Sequence, residues 1–185
     1  MYKVQRGLTL IEAAMVLALA AIVISGAMYY YQSAKENENR NEVMTTVMNI
    51  IATVNKLYTD YGFHKPYTGL STELIQEAIP NLKLDKSTGY IIQPDGISIG
   101  VEPMAQDGGY LYRITLYNVP YSQCSNYSTM LTAIGGNFKK AWIRVPPQPW
   151  IAVVGTPQEV KDQLFQSCQY VTTAGTVTMG AGLIT

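Results

Sequence analysis

The residues whose types and spacing could do chemistry cluster at the start of this 185-residue chain. Gly7 precedes Leu8, and Glu12 stands four residues beyond Leu8 as the sole charge between Leu8 and Tyr31. Cutting the peptide bond between Gly7 and Leu8 would leave an α-amino group on Leu8 close to the Glu12 carboxylate. Opposite charges a few ångströms apart in a low-dielectric setting offset much of the cost of desolvating either ion. The amine could come from the same chain or from a neighbour. In the second case the pair would recruit a subunit and set its axial register.

Cys124 and Cys168 form the second set. In an exported chain they read as one disulfide, in a reducing compartment as two buried thiols. Their spacing is too wide for a C-x-x-C redox motif, and with His64 as the one histidine they make a poor zinc set. His64 sits beside Lys65 and Pro66 and reads as an exposed loop residue. The glycine clusters at Gly108-Gly109, Gly135-Gly136 and Gly180–Gly182 match no phosphate loop or dinucleotide fingerprint. Asp60, Asp85, Asp95 and Asp107 are scattered near turns, where Asp serves local hydrogen bonding. No Ser/His/Asp set or carboxylate pair can be assembled, so the expectation is a non-enzyme with no metal and no cofactor. With 13 basic and 13 acidic residues the net charge is zero, which argues against sequence-specific nucleic-acid binding driven by a positive field.

The elements that must position these residues begin with a short basic start, MYKVQRG, carrying Lys3 and Arg6. The apolar stretch from Leu8 to Tyr31 would form a helix about 36 Å long, enough to cross a bilayer. Lys3 and Arg6 would hold its start in the cytoplasm, and Tyr29, Tyr30 and Tyr31 suit an interfacial belt. Three readings compete: a secretory signal cut after Ser25-Gly26-Ala27, a plain signal anchor, and a leader cut after Gly7. Glu12 separates them. An acidic residue in a membrane helix costs up to about 2.5–3.5 kcal/mol at the centre and less near an end. The third reading alone gives it a partner.

The run Arg6-Gly7-Leu8-Thr9-Leu10-Ile11-Glu12 resembles the processing motif of type IV prepilins, cut after the glycine with the glutamate fifth in the mature chain. A mature first residue other than Phe, here Leu8, points to the type IVb branch. From Gly7 through the SGAMYYYQSA segment ending at Ala34, the chain is similar to the bundlin family and more distantly to thin-pilus pilins of conjugative plasmids. Its seven-residue leader is shorter than is usual there. The resemblance implies cleavage between Gly7 and Leu8, N-methylation of Leu8, and Glu12 as the assembly residue. It implies as partners other pilin subunits in a homopolymer, a prepilin peptidase, and an inner-membrane assembly platform with its assembly ATPase. The subunit would wait in the inner membrane and end in an extracellular fibre serving adhesion, autoaggregation or mating-pair stabilisation. The rival readings are a pseudopilin of a type II-like secretion system and a bitopic membrane protein with a soluble binding domain.

Beyond the apolar stretch, Val43, Val47, Ile50, Val54, Leu57 and Tyr61 recur at spacings of three and four, the mark of an amphipathic helix. No proline interrupts residues 8–61, which predicts one long helix with Gly26 as its weak point. Gly62 and Pro66 would end it. Ser71-Thr72-Glu73 opens a short helix stopped by Pro80. Strands are expected at Tyr90–Gln93, Ile97–Glu102, Tyr110–Val119, Phe138–Val145 and, as a short buried one, Ile151–Val154. Ser122–Ile134 reads as a helix carrying Cys124. Pro146-Pro147-Gln148-Pro149 reads as a rigid turn flanked in sequence by Trp142 and Trp150, which read as core or subunit-interface packing. Thr156-Pro157-Gln158-Glu159 is a capping box opening the helix that delivers Cys168. Tyr170–Met179 is strand-like and precedes a glycine-rich end. The order looks like the pilin architecture, an α+β fold in which the long helix packs on an antiparallel sheet and one disulfide closes the second half. The expected division is a leader at 1–7, a membrane and assembly half-helix at 8–31, an amphipathic half at 32–61 and a globular head at 62–185.

Overall fold

An unbroken run free of proline gives an unbroken helix, and α1 extends over Leu10–Asn55 before a π-helical turn at Lys56–Asp60. A computed structural model describes residues 9–60, 67–104, 111–134, 138–169 and 175–184 of the chain. Two compact units divide in sequence between Arg40 and Asn41. In the first, the helix is apolar all round as far as Tyr31, polar beyond it, and its side chains are almost all exposed. In the second, the predicted stripe is buried: Val43, Val47, Ile50 and Val54 are wholly inaccessible, joined by Ile51 and Tyr58. Leu57 is half-buried against them, while Tyr61, Gly62, His64 and Pro66 lie outside the described residues.

The second unit is built on a seven-stranded sheet. In chain order the strands are β1 (Leu84–Asp85), β2 (Tyr90–Ile92), β3 (Ser98–Met104), β4 (Leu111–Pro120), β5 (Phe138–Arg144), β6 (Ile151–Val153) and β7 (Thr176–Leu183). Their spatial order is β1-β2-β3-β4-β7-β5-β6, and every pairing is antiparallel. Side-chain alternation turns this register into layers. Ile91, Ile99, Leu116, Met179, Ile143 and Ile151 stand in one row across six strands; Val101, Ile114, Ala181, Ala141 and Val153 form the next. Apart from Ile151 at the edge these residues are buried, and they share one core with the α1 stripe.

Three shorter helices complete the unit: α2 (Thr72–Ala78), α3 (Cys124–Thr132) and α4 (Pro157–Gln169). The predicted α2 is present, with Ser71 capping it by accepting from the Leu74 amide at 3.2 Å. Thr72 bonds both backbone groups of Val101, tying α2 to β3 where β2 has ended. The expected helix from Ser122 starts instead as a 3-10 turn, Tyr121–Gln123, that runs into α3. Its expected close at Gly135-Gly136 lies outside the described residues.

Two expectations are corrected. Ile151–Val154 is not a buried strand: β6 is the sheet's last strand, and only Val153 of the four is buried. An apolar run alone does not distinguish an edge from a centre. The strand expected to end at Met179 runs on through the glycine-rich end to Leu183. Gly180 and Gly182 lie within β7, which inserts between β4 and β5 at the middle of the sheet. A Cβ at Gly180 would come within 2.9 Å of the Ile114 carbonyl oxygen, and one at Gly182 within 2.7 Å of the Trp142 ring. Here glycine permits close approach rather than marking a loop. The strand predicted from Tyr110 bends near its end: the β4–β7 register shifts between Leu116 and Val119, and Asn118 there has a left-handed φ of 58°.

These contacts set an expected outcome. Gly180→Ala should destabilise the second unit by about 1–3 kcal/mol, as overpacking against backbone does. Gly26→Ala, with nothing within 4 Å of the added Cβ, should leave that unit's melting temperature unchanged. Thermal unfolding followed by near-ultraviolet circular dichroism on the detergent-solubilised chain reads both.

Candidate assembly and processing site

The start of α1 is shaped by a reciprocal cap that the sequence reading passed over. Thr9 donates its backbone N–H to Glu12 Oε2 at 2.8 Å and its hydroxyl to the same oxygen at 3.0 Å. The Glu12 N–H returns a bond to Thr9 Oγ1 at 3.3 Å. This is a capping box, and its signal, Thr9-x-x-Glu12, was present in the sequence. Glu12 therefore holds the helix start together with one oxygen and keeps Oε1 without a partner among the described residues. Gly7 and Leu8, the predicted cleavage pair, lie outside the described residues.

Around Glu12 the surface is almost wholly apolar. Thirteen large side chains between Leu10 and Tyr31 are at least 60% exposed, among them Leu17, Ile22, Val23 and the three tyrosines. By length and composition α1 could cross a membrane. Polar residues take over after Tyr31, with Lys35 paired to Glu38 at 3.2 Å.

The cysteines are joined. The Cys124–Cys168 disulfide links α3 to α4 with Cα atoms 5.9 Å apart, inside the usual range. Cys124 opens α3, which follows directly on β4 and the 3-10 turn. Cys168 lies in the last turn of α4, whose start is set by the predicted capping box: Thr156 N–H donates to Glu159 Oε2 at 2.8 Å and Glu159 N–H to Thr156 Oγ1 at 3.3 Å. Those bonds hold the Glu159 carboxyl below its ordinary range, the backbone bond contributing most. Ser128 donates to the Cys124 carbonyl at 2.9 Å and lies 3.6 Å from Cys168 Sγ. Tyr127 donates to Asp95 at 3.2 Å, tying α3 to the β2–β3 turn.

The remaining candidates serve structure. Asp85 accepts from the Ser87 N–H and hydroxyl and from Thr88; the backbone bond leads in lowering its carboxyl below the usual range. Trp142 is half-buried over Gly182, with Arg113 and Lys140 against its ring. Trp150 is 44% exposed. Burial pushes the Tyr112 hydroxyl up, and it has no hydrogen-bond partner among the described residues. No group of three metal-ligating side chains occurs among the described residues. Asp107 and Gly108-Gly109 lie outside them.

A long helix, apolar in its first part and core-forming in its second, joined to an antiparallel sheet and one disulfide, defines the α+β fold of a type IV pilin. The profile of the prokaryotic N-terminal methylation motif matches residues 2–28, and the bundlin profile matches residues 32–138. The chain belongs to the bundlin family. It is similar to the major structural subunit of bundle-forming pilus of Escherichia coli O127:H6 (strain E2348/69 / EPEC) and to that of Escherichia coli O111:H-. Each match is 34% identical over 130 residues, covering 69% of this chain and 66% of the relative.

Linking residues 44 apart is worth roughly 4 kcal/mol in the chain-entropy model. Cys168→Ser should therefore lower the unfolding midpoint and the amount of subunit recovered from cells. Alkylation that found both thiols free in the purified unaltered protein would contradict the disulfide.

Proposed function

We propose that this chain is the precursor of a structural subunit, major or minor, of a type IVb pilus. It is cut between Gly7 and Leu8 by a prepilin peptidase and methylated on the new Leu8 amine. It is held in the inner membrane by residues 8–31 and then moved by an assembly platform and ATPase into a surface fibre. Residues 32–61 connect that anchor to a head at 62–185. The fibre serves adhesion, autoaggregation or mating-pair stabilisation. One observation carries the reading: a membrane-length apolar helix with a single carboxylate four residues beyond a Gly-Leu bond, in a bundlin-family chain. The relatives are named as major structural subunits of a bundle-forming pilus, which favours the pilin over the secretion-system pseudopilin.

In this mechanism the two oxygens of Glu12 divide the work. Oε2 closes the Thr9 cap, and Oε1 receives the Leu8 amine of a subunit already in the fibre. The carboxylate and the amine each enter an apolar core, where an ion without its partner typically costs about 3–5 kcal/mol. A subunit arriving at the wrong height leaves both charges unpaired, so the pair sets the axial register.

Glu12→Val should insert into the membrane, be processed and form its disulfide, yet remain in the inner membrane instead of entering fibres. Glu12→Asp should be intermediate because its reach is one methylene shorter. Glu12→Gln separates the two roles: glutamine keeps the cap but not the charge, and should fail as Val does. The measurement is the ratio of sheared fibre to membrane-retained subunit; normal fibre yield from Glu12→Gln would overturn the charge-pairing role.

A further inference from the structure

The two edges of the sheet are not equally protected. Exposed edges of natural sheets are usually shortened, charged or covered, because their unpaired N–H and C=O groups invite another strand. At one edge, β1 is two residues long and flanked by Lys83 and Lys86. At the other, β6 carries no charge, and among the described residues no hydrogen bond reaches its outer side. Trp150, Ile151 and Val154 at β6 are 44%, 42% and 68% exposed. Between this edge and α4 lies an open groove of about 470 Å³, lined by the apolar Val145, Ile151 and Val153 and the polar Gln148, Gln163 and Gln166.

We infer that β6 is a self-pairing edge, and that its occupant is β6 of a second copy of this chain lying antiparallel to it. Three observations select a second copy. The unused backbone groups call for a strand, and the charged, two-residue β1 is a poor one to offer. No residue from Pro146 to Gln158 is charged, so self-contact brings no like charges together. Centring the pair on Ala152 sets Trp150 of each copy opposite Val154 of the other, an aromatic and β-branched cross-strand pair of the favourable kind. Such a contact is isologous, the same patch on both sides, whereas a polar helical fibre grows by heterologous contacts between different patches. The β6 pair therefore joins subunits of neighbouring fibres and draws fibres side by side. This inference rests on the fibre-subunit reading above.

Ala152→Cys tests it. Residues directly opposite in an antiparallel pair have Cα atoms about 4.5–5.5 Å apart, within disulfide reach. Mild oxidation of laterally associated fibres should give dimers linked through position 152, and oxidation of dilute, dispersed fibres should not. Val154→Lys, at a site too exposed to disturb folding, should give a normal yield of fibres that stay single in electron micrographs and sediment as single fibres. Dimers from dispersed fibres, their absence from associated ones, or side-by-side association of Val154→Lys fibres equal to the unaltered chain would each overturn the self-pairing edge. If the unaltered chain forms no fibre at all, the subunit reading fails instead.

Discussion

The apolar surface of the first part of α1 governs everything else. Thirteen large side chains there stay mostly exposed in the single chain. At about 1.5–3 kcal/mol for each one taken out of water, the total is on the order of 20–40 kcal/mol. That exceeds the roughly 5–15 kcal/mol by which a whole domain is stable, so this surface must be covered; under the proposed function lipid covers it first and other subunits afterwards. Against such a term the cost of one carboxylate, about 2.5–3.5 kcal/mol at most, is affordable. In the proposed pairing with the Leu8 amine, Glu12 adds direction. Apolar burial is indifferent to axial sliding, and a lone charge pair is not.

The same helix changes role without breaking. From Val43 onward its buried stripe contributes to the core of the second unit, while Thr46 donates to Gln93 at 3.3 Å inside that unit. The sheet depends on its last strand, because β7 joins β4 to β5 and so connects the N-terminal meander to the half that carries α3, β6 and α4. The disulfide then ties α3 to α4 in that later half. With these constraints in place, a strand as short as β6 can be held at an edge without being covered.

Much of this was legible in the sequence because it is encoded locally. The three-and-four spacing of Val43, Val47, Ile50 and Val54, the Thr156–Glu159 box, the Ser71 cap and the two cysteines each announce a structure within a few residues. What was missed depends on non-local contacts. Nothing adjacent to Gly180 and Gly182 says that the Ile114 carbonyl and the Trp142 ring press on them. Apolar content could not show that Ile151–Val154 is the open edge, because that follows from β7 occupying the interior place. The Thr9 cap is a different case: its signal was local and visible, but a single charge in an apolar stretch pointed to the Leu8 amine as the partner for Glu12.

The central claim is that Glu12 of one subunit meets the Leu8 amine of another. Solid-state NMR on fibres grown from a mixture of carbon-13-labelled and nitrogen-15-labelled subunits tests it, since contact between the labels then reports only on different chains. The account predicts a cross-peak between the Glu12 carboxyl carbon and the Leu8 amine nitrogen, at the separation of an ion pair, about 4 Å or less between nitrogen and oxygen. A cross-peak seen in uniformly labelled fibres but absent from mixed ones would place the partner within the same chain and contradict it.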